Sequence, residues 1–259
     1  MKRIMVALSV ISSVLALCGN VFCSEDWIQY KFDSRHSGYA PDRALPVSVG
    51  LIGAVPLTDA CFTSPVVGGG NIYVVDGSGT CFCFDERTLE EKWRFQSDSS
   101  PFNCNNVSSP ALVSGKYVHF GTTGGRYYVL RARDGKLVRK IDCGEPIFSC
   151  PIVIGDRVYF ATLGAKVFSL DPDGKVRWIW DAVKNFFSFS GDRWDGKAWL
   201  KHLGTRVGNE HRFCCARNIA GIDGTVIVPT GGRIVWLEDE GEKPVVKACL
   251  LYTSPSPRD

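Results

Sequence analysis

The sequence lacks several of the patterns that define common functional classes. Only four histidines occur in 259 residues, none at a zinc-site spacing, and there is no paired Cys-x-x-Cys motif with metal-ligand spacing, so a structural metal has no support. No lysine- or arginine-rich run is present and the net charge is only +3, which leaves nucleic-acid binding without electrostatic support. No segment has the periodicity of a long amphipathic helix, and no apolar run is long enough to span a membrane.

The N-terminus has the composition of a secretion signal. Lys2 and Arg3 precede an apolar run over residues 4–17, and the chain turns polar at Ser24. This run is too short for a spanning helix but is typical of a signal peptide, which we assign to residues 1–23. In an alternative processing route Cys18 is acylated as a lipid anchor, although the bulky Leu17 disfavours it. Either route predicts export, to the periplasm or the extracellular space.

Residues 249–259 form a Pro/Ser-rich tail with an unusual sequence, CLLYTSPSPRD. All eleven residues match the translation of a common transposase sequencing adapter. The alternative is a genuine tail of the kind that many exported proteins have. We expect an adapter-derived tail, and therefore expect the natural C-terminus to be missing.

Eight of the eleven cysteines lie between the signal peptide and this tail. An even number in an exported chain permits disulfides, but the spacing does not assign pairs. These cysteines are Cys61, Cys81, Cys83, Cys104, Cys143, Cys150, Cys214 and Cys215.

An internal repeat is the strongest structural signal. Ser64-Pro65, Ser109-Pro110 and Cys150-Pro151 each precede a short apolar strand, a Gly/Asp turn, a second strand and a Lys- or Trp-rich strand. Their prolines are 45 and 41 residues apart, within the period of roughly 40–50 residues that is typical of propeller blades. One such sheet cannot bury both faces, so each must stack against a neighbour. Residues 80–85 show the expected alternation, with cysteines on one face and phenylalanines on the other.

The repeat pattern is interrupted after the third copy. Residues 182–218 form an insertion rich in aromatic and charged residues, with a helical turn expected near 198–202. Its aromatic side chains either line a ligand cleft or pack as a cap, and we favour the cap. The repeat resumes at Ile219, and we expect the tail to cut this fourth copy short.

The second halves of the repeats resemble a known family. Residues 84–93 (FDERTLEEKW) and 170–178 (LDPDGKVRW) are similar to the quinoprotein-type, or PQQ-like, repeat, whereas residues 130–139 have Arg139 where tryptophan is usual. The resemblance implies an all-β fold: a partial β-propeller of four-stranded antiparallel blades over residues 24–248. It further implies about four blades of a total of seven or eight. The tryptophan would pack on the next blade while its N–H donates to a carbonyl.

The resemblance also implies a possible enzymatic role for Cys214 and Cys215. In quinoprotein alcohol dehydrogenases a disulfide between adjacent cysteines covers the ring of pyrroloquinoline quinone (PQQ). Here no acidic residue follows the pair, it comes after three repeats rather than near the beginning, and we assign no calcium ligands or catalytic residues. We therefore expect structural thiols, or cysteines bonded to different partners, and no cofactor.

Three other motifs have simpler interpretations. The acidic stretch 171–174 lacks the further ligands of a calcium loop and is predicted to be a turn. Gly68-Gly69-Gly70 lacks the lysine and helix of a phosphate-binding loop and is also predicted to be a turn. His119 lies within a predicted strand, so we expect a hydrogen-bonded core residue.

These observations favour an exported, non-catalytic propeller that acts as a binding or scaffold module for a protein, a glycan or a small ligand. The alternative is a fragment of a periplasmic PQQ-dependent alcohol dehydrogenase, which would require PQQ and calcium. A third hypothesis is an outer-membrane assembly factor of the same fold.

Overall fold

The computed structural model describes residues 26–40, 48–205, 208 and 211–251. The predicted signal peptide with Cys18, and most of the tail, lie outside these residues. The described part of the chain forms four antiparallel sheets of four strands each, arranged one after another in sequence order. Within the described residues, no helix is both long and apolar enough to cross a bilayer.

Each sheet is one blade, and its strands are hydrogen-bonded in sequence order. The first blade comprises β1 (Val66–Gly68), β2 (Asn71–Val75), β3 (Thr80–Asp85) and β4 (Glu91–Gln96). The second comprises β5 (Ala111–Val113), β6 (Tyr117–Gly121), β7 (Arg126–Arg131) and β8 (Leu137–Asp142). The third comprises β9 (Ile152–Ile154), β10 (Arg157–Ala161), β11 (Lys166–Leu170) and β12 (Val176–Asp181). The fourth comprises β13 (Ala220–Ile222), β14 (Thr225–Pro229), β15 (Arg233–Asp239) and β16 (Pro244–Leu251).

The partial propeller of four-stranded blades is thereby confirmed. The first strands of consecutive blades contact each other, so they lie closest to the common axis. One expectation was wrong: the fourth blade is complete, because β16 extends from Pro244 to Leu251 and includes the first three residues of the tail.

The core lies between the blades, as the period-2 pattern predicts. In β3, Cys81 and Cys83 pack with residues of the second blade, whereas Phe82 and Phe84 point to the opposite side. Both sets are buried, which is why β3 contains an unbroken run of apolar residues.

A tryptophan joins the first two blades in the way that the resemblance implies. The Trp93 ring on β4 packs on Gly135, in the turn between β7 and β8, where a Cβ atom would lie 2.6 Å from the ring. The indole N–H donates to the Ala132 carbonyl at 2.9 Å. Gly135 has φ +68°, a conformation that glycine adopts without strain.

The serine or cysteine before each repeat's proline forms a second connection between blades. The backbone N–H at this position donates to the side chain of the corresponding residue in the next blade. The bonds are Ser64 N–H to Ser109 Oγ (2.8 Å), Ser109 N–H to Cys150 Sγ (3.2 Å) and Cys150 N–H to Asn218 Oδ1 (2.7 Å). We call this series the inter-blade belt.

The segment before the first blade, residues 27–38, crosses the innermost strands of all four blades. We call it the lead-in segment. Its bonds are Val67 N–H to Trp27 O (2.9 Å), Leu112 N–H to Ile28 O (2.7 Å), Val153 N–H to Gln29 Oε1 (2.8 Å) and Gly221 N–H to Ser34 O (2.7 Å). It therefore pairs with one inner strand after another, instead of forming a blade of its own.

Candidate functional site

The insertion, residues 182–218, is the largest departure from the repeat, and we call it the cap. It contains two short helices, α1 (Ala182–Phe187) and α2 (Gly196–Leu203). Each helix begins at an aspartate, Asp181 or Asp195, whose carboxylate accepts hydrogen bonds from two backbone N–H groups of the first turn. The helical turn expected near 198–202 is confirmed as part of α2, whereas α1 was not predicted.

The aromatic residues of the cap pack on one another. Trp199 lies at the centre, with its ring edge-on to Phe187 (5.3 Å between centroids), Phe189 (5.2 Å) and Phe213 (5.1 Å). Such edge-to-face contacts stabilise a small core. The cap interpretation therefore fits better than an open aromatic cleft, although Trp194 is 45% exposed and Leu200 is 56% exposed.

A buried ion network fixes the cap to the blades. Arg193, only 9% exposed, contacts Glu145 (3.4 Å) and Asp181 (3.0 Å) and donates to the Gly164 carbonyl (2.6 Å). Burial by itself would raise the pKa of Asp181, but hydrogen bonds from Arg193 and from the α1 backbone lower the pKa overall. This network links the cap with β12 and with the turn between β10 and β11.

Glu145 has further partners in the third blade. Its carboxylate contacts Lys166 (3.1 Å) and accepts a hydrogen bond from Thr162 (2.6 Å). A Cβ atom on Gly164 would lie 2.3 Å from this carboxylate, so a larger residue there would displace the carboxylate from its present position. Glu145 is 4% exposed, and two cations and a hydroxyl already occupy its oxygens.

A polar pocket of about 370 Å³ lies between the cap and the fourth blade. Arg233 of β15 lies over the rings of Phe186 (5.2 Å) and Phe187 (4.9 Å), and His202 Nε2 is 2.8 Å from the Phe187 carbonyl. Sites of this size accommodate small molecules. The pocket lining includes Phe186, Phe187, Ser188, His202, His211 and Arg233.

Cys214 and Cys215 lie in different environments. Cys215 is fully buried in the core between the third and fourth blades, where burial raises the pKa of its thiol to about 12. Cys214 is exposed. No disulfide joins any two cysteines of the described residues.

The residues that surround this pair do not fit a quinone and calcium site. Cys215 Sγ lies among core side chains, not on a ligand-facing surface. The nearby carboxylates, Glu145 and Asp181, are already engaged by Arg193. No group of three or more metal-ligating side chains is found among the described residues. We derive no chemistry through PQQ, and the role of Cys214 and Cys215 stays a prediction.

The simpler interpretations of the other motifs agree with the structure. Asp171 and Gly174 close a turn in which Gly174 has φ +83°. Gly69 and Gly70 form the turn between β1 and β2. His119 is fully buried, with Nε2 2.9 Å from the Pro172 carbonyl and Nδ1 3.3 Å from the Tyr127 hydroxyl.

Two residues of this site, Glu145 and Arg193, are not indicated by any pattern in the sequence. Neither lies in a motif, and 48 positions separate them in the chain. Gly164 gives no usable signal, because the corresponding turns of the other blades also contain glycine, among them Gly124 and Gly231.

The four consecutive four-stranded blades are part of a β-propeller, and the comparisons with known proteins agree with the PQQ-like resemblance seen in the sequence. Residues 53–146 match the family model described as "Outer membrane protein assembly factor BamB". No curated protein sequence matches the chain.

Solved structures of two kinds are similar to this chain. Quinohemoprotein alcohol dehydrogenase from Comamonas testosteroni is 19% identical, with a TM-score of 0.63 over 90% of this chain and 42% of that one. BamB from Moraxella catarrhalis is 15% identical, with a TM-score of 0.52 over 73% and 49%. Quinohemoprotein alcohol dehydrogenase ADHIIG from Pseudomonas putida HK5 is 15% identical, with a TM-score of 0.62 over 85% and 39%.

The chain spans less than half the length of each of these structures. At identities below 20% the likeness shows the fold alone, because PQQ-like propellers of this kind include both dehydrogenases and BamB.

Proposed function

We propose that this chain is an exported, non-catalytic PQQ-like β-propeller that acts as a scaffold for a protein partner. Its four blades form a rigid base, and the cap presents Trp194 and Leu200 on the surface. Exposed aromatic and aliphatic side chains on a fixed scaffold are typical of protein-binding surfaces. The family-model match, which is to an outer-membrane assembly factor, supports this class. Export follows from the N-terminal sequence and is part of the proposal.

The observation that contributes most is the state of Glu145. A carboxylate that served a metal or a substrate would need free oxygens facing a cavity. Glu145 instead contacts Lys166, Arg193 and Thr162, so its charge is used to hold the cap. If the Glu145 carboxylate turned away to bind a ligand, the buried Arg193 would lose one of its two acidic partners.

The second candidate is a fragment of a PQQ-dependent dehydrogenase. It rests on the adjacent pair Cys214-Cys215, since the two dehydrogenase structures share only the fold with this chain. In that case the residues that bind PQQ and calcium would lie in blades other than these four.

Titration with PQQ and Ca²⁺ separates the two candidates. We expect no saturable change in tryptophan fluorescence and no dye reduction with a panel of primary alcohols. Saturable PQQ binding that requires Ca²⁺ would support the dehydrogenase.

Site-specific crosslinking tests the scaffold directly. A photoreactive amino acid at position 194 is expected to give one dominant adduct with an envelope protein in cells of the source organism. The matched control places the same group at Ile179, which is similarly exposed (52%) but lies on β12, outside the residues of the cap. Equal adducts from both positions, or none from position 194, would contradict a partner on the cap.

A further inference from the structure

The charges of the chain are unevenly distributed between the cap and the rest of the sequence. Residues 182–218 contain seven lysines and arginines against three acidic residues, which gives the cap a net charge of +4. The other residues of the chain include 23 basic and 24 acidic residues. The cap therefore carries more positive charge than the whole chain, whose net charge is +3. A local excess of one sign attracts groups of the opposite sign.

Most lysines and arginines of the blades contact an acidic side chain. Examples are Lys92 with Asp85 (2.8 Å), Lys140 with Asp98 (2.9 Å) and Arg177 with Asp171 (2.7 Å). In the cap, Arg193 alone has such partners, and it is buried in the ion network described above. The other cations of the cap are exposed and form no ion pair in the part of the chain that the structure describes: Lys184, Lys197, Lys201, Arg212 and Arg217.

The two acidic residues that the structure describes within the cap bond to its own backbone. The Asp195 carboxylate accepts hydrogen bonds from the N–H groups of Lys197 and Ala198 at the beginning of α2. The Asp192 carboxylate accepts from the N–H of Trp194 (2.9 Å). Neither carboxylate contacts a lysine or arginine side chain of the described residues. The exposed cations of the cap can therefore pair with carboxylates of another molecule.

α2 presents two of these lysines beside an exposed leucine. Lys197, Leu200 and Lys201 are exposed and lie three and four positions apart, so they share one face of the helix. The inner side of the helix packs into the cap through Trp199, which contacts Phe213, and through Leu203, which is buried. We call the exposed side, with Lys197, Leu200 and Lys201, the basic face of α2.

Trp194 adds an aromatic side chain next to the basic face. It directly precedes Asp195, at which α2 begins, and its ring is edge-on to the buried Phe213 (5.6 Å between centroids). Part of the ring is thereby anchored, while 45% of the residue stays exposed. The preceding residue, Arg193, is fixed by the buried ion network. A tryptophan held in this way can bind a partner with little loss of conformational entropy.

We propose, on the basis of the scaffold function proposed above, that the basic face of α2 and Trp194 bind an acidic segment of the partner protein. Carboxylates of that segment pair with Lys197 and Lys201. Apolar side chains between the carboxylates contact Trp194 and Leu200. The remaining cations of the cap attract the segment from a distance and raise the association rate.

An anionic membrane surface is the other kind of partner that attracts a basic helix. A helix that lies in a lipid interface buries a wide apolar face. The basic face of α2 has one leucine between two lysines, and the larger apolar side chains of the helix, Trp199 and Leu203, pack inside the cap. These contacts favour an acidic protein segment over a lipid surface.

The crosslinking experiment at position 194 can test the charge of the partner segment. An aromatic photoreactive amino acid at this position is combined with Lys197→Gln and Lys201→Gln, which remove two charges at exposed positions. We expect at least about 5-fold less adduct, because two ion pairs with the partner are lost. Lys197→Arg with Lys201→Arg keeps both charges and is expected to retain the original yield. Mass spectrometry of the adduct is expected to find the crosslink in a segment with several Asp or Glu residues.

Lys136→Gln with Lys175→Gln is the matched control, because it removes the same charge from two other exposed lysines without an ion pair among the described residues. Lys175 lies in the turn that precedes β12, and the cap follows the other end of that strand. Lys136 occupies the corresponding turn before β8. The control is expected to leave the adduct yield unchanged. An equal loss from both double variants would show an effect of net charge alone and would overturn the proposal.

Two further outcomes would overturn the acidic segment but leave the protein partner in place. They are an undiminished adduct from the chain with Gln at positions 197 and 201, and a crosslinked segment without acidic residues. Vesicles of equal parts phosphatidylglycerol and phosphatidylcholine are expected not to sediment the chain. Sedimentation that requires Lys197 and Lys201 would overturn the proposal in favour of a lipid surface. The absence of any adduct from the chain with both lysines would instead contradict the scaffold function itself.

Discussion

The contact between Trp93 and Gly135 shows how single residues hold two blades together. The family pattern predicts the tryptophan and its hydrogen bond, and the structure confirms both. At the next junction Arg139 replaces the tryptophan and reaches Asp173 instead, while Gly174 keeps a positive φ. The glycine is needed for backbone conformation as well as for close approach.

Replacing Gly135 with alanine tests this double requirement. We expect a loss of about 2–3 kcal/mol in the free energy of unfolding, because alanine is strained at φ +68° and its Cβ meets the Trp93 ring. Gly155→Ala is the matched control: it has φ +60° but nothing within 4 Å of the added Cβ, so only about 1 kcal/mol is expected. Chemical denaturation measures both variants. Equal losses would show that the ring contact contributes nothing.

His119 is a second residue-scale feature, with a consequence for acid stability. Burial lowers the pKa of its imidazole to about 4, despite the hydrogen bond to the Pro172 carbonyl. In the unfolded chain the pKa is about 6.5. Between pH 6.5 and 4 the unfolded chain therefore binds a proton that the folded chain does not, so stability falls as the pH falls.

Removing the imidazole should flatten this dependence. We expect the free energy of unfolding of His119→Gln to change by about 3 kcal/mol less than that of the wild type between pH 7 and pH 4. Tyr127→Phe, which removes a hydrogen-bond partner but keeps the imidazole, should retain the wild-type slope. Denaturant titrations at several pH values measure the slopes. Identical slopes for His119→Gln and the wild type would refute the assignment.

At the scale of elements, the strands were more predictable than the cap. Strands such as β3 and β11 were placed correctly because alternation and Asp/Gly turns are local signals. α1 was missed because six residues are too few to show helical periodicity. The path of the cap depends on Arg193, whose partner Glu145 is distant in sequence, and no local pattern indicates such a contact.

Arg193→Met should release the cap without unfolding the blades. It leaves the buried Glu145 and the half-buried Asp181 beside a neutral side chain, at a cost of about 3 kcal/mol. We expect faster hydrogen exchange across α1 and α2 while β9–β12 keep their protection. Arg94→Ala is the control, because its ion pair with Glu91 is exposed to solvent and contributes little to stability. Uniform loss of protection in every blade would mean that Arg193 supports the whole fold.

At the scale of the whole molecule, the repeat predicts the order of the blades, but it does not predict the path of the lead-in segment across them. The proline spacing places each sheet beside the next, and the structure agrees. The route of the lead-in segment was not predictable in detail, because its partners lie up to 187 positions away. Its side-chain contacts, such as Gln29 with Val153, have no sequence signature.

Gln29→Ala tests the contribution of this segment. Gln29 is 5% exposed and its side chain bonds the β9 backbone, so we expect a broader denaturation curve with a lower m-value. Tyr39→Ala, at a 66% exposed position next to the lead-in segment, should leave the curve unchanged. A Gln29→Ala curve that shifts without broadening would indicate a local loss only.

The lead-in segment also affects the cooperativity of unfolding. In an array of repeats that has only nearest-neighbour contacts, the repeats can unfold one by one from the ends. The free energy of unfolding is then approximately the sum of the contributions of the single repeats and their interfaces. A single segment bonded to all four blades makes the unfolding of each blade costly for the other three. Such an array should unfold in one cooperative transition. The end of the lead-in segment should be the last part to dock, because the bond between Ser34 and Gly221 forms only once the fourth sheet exists.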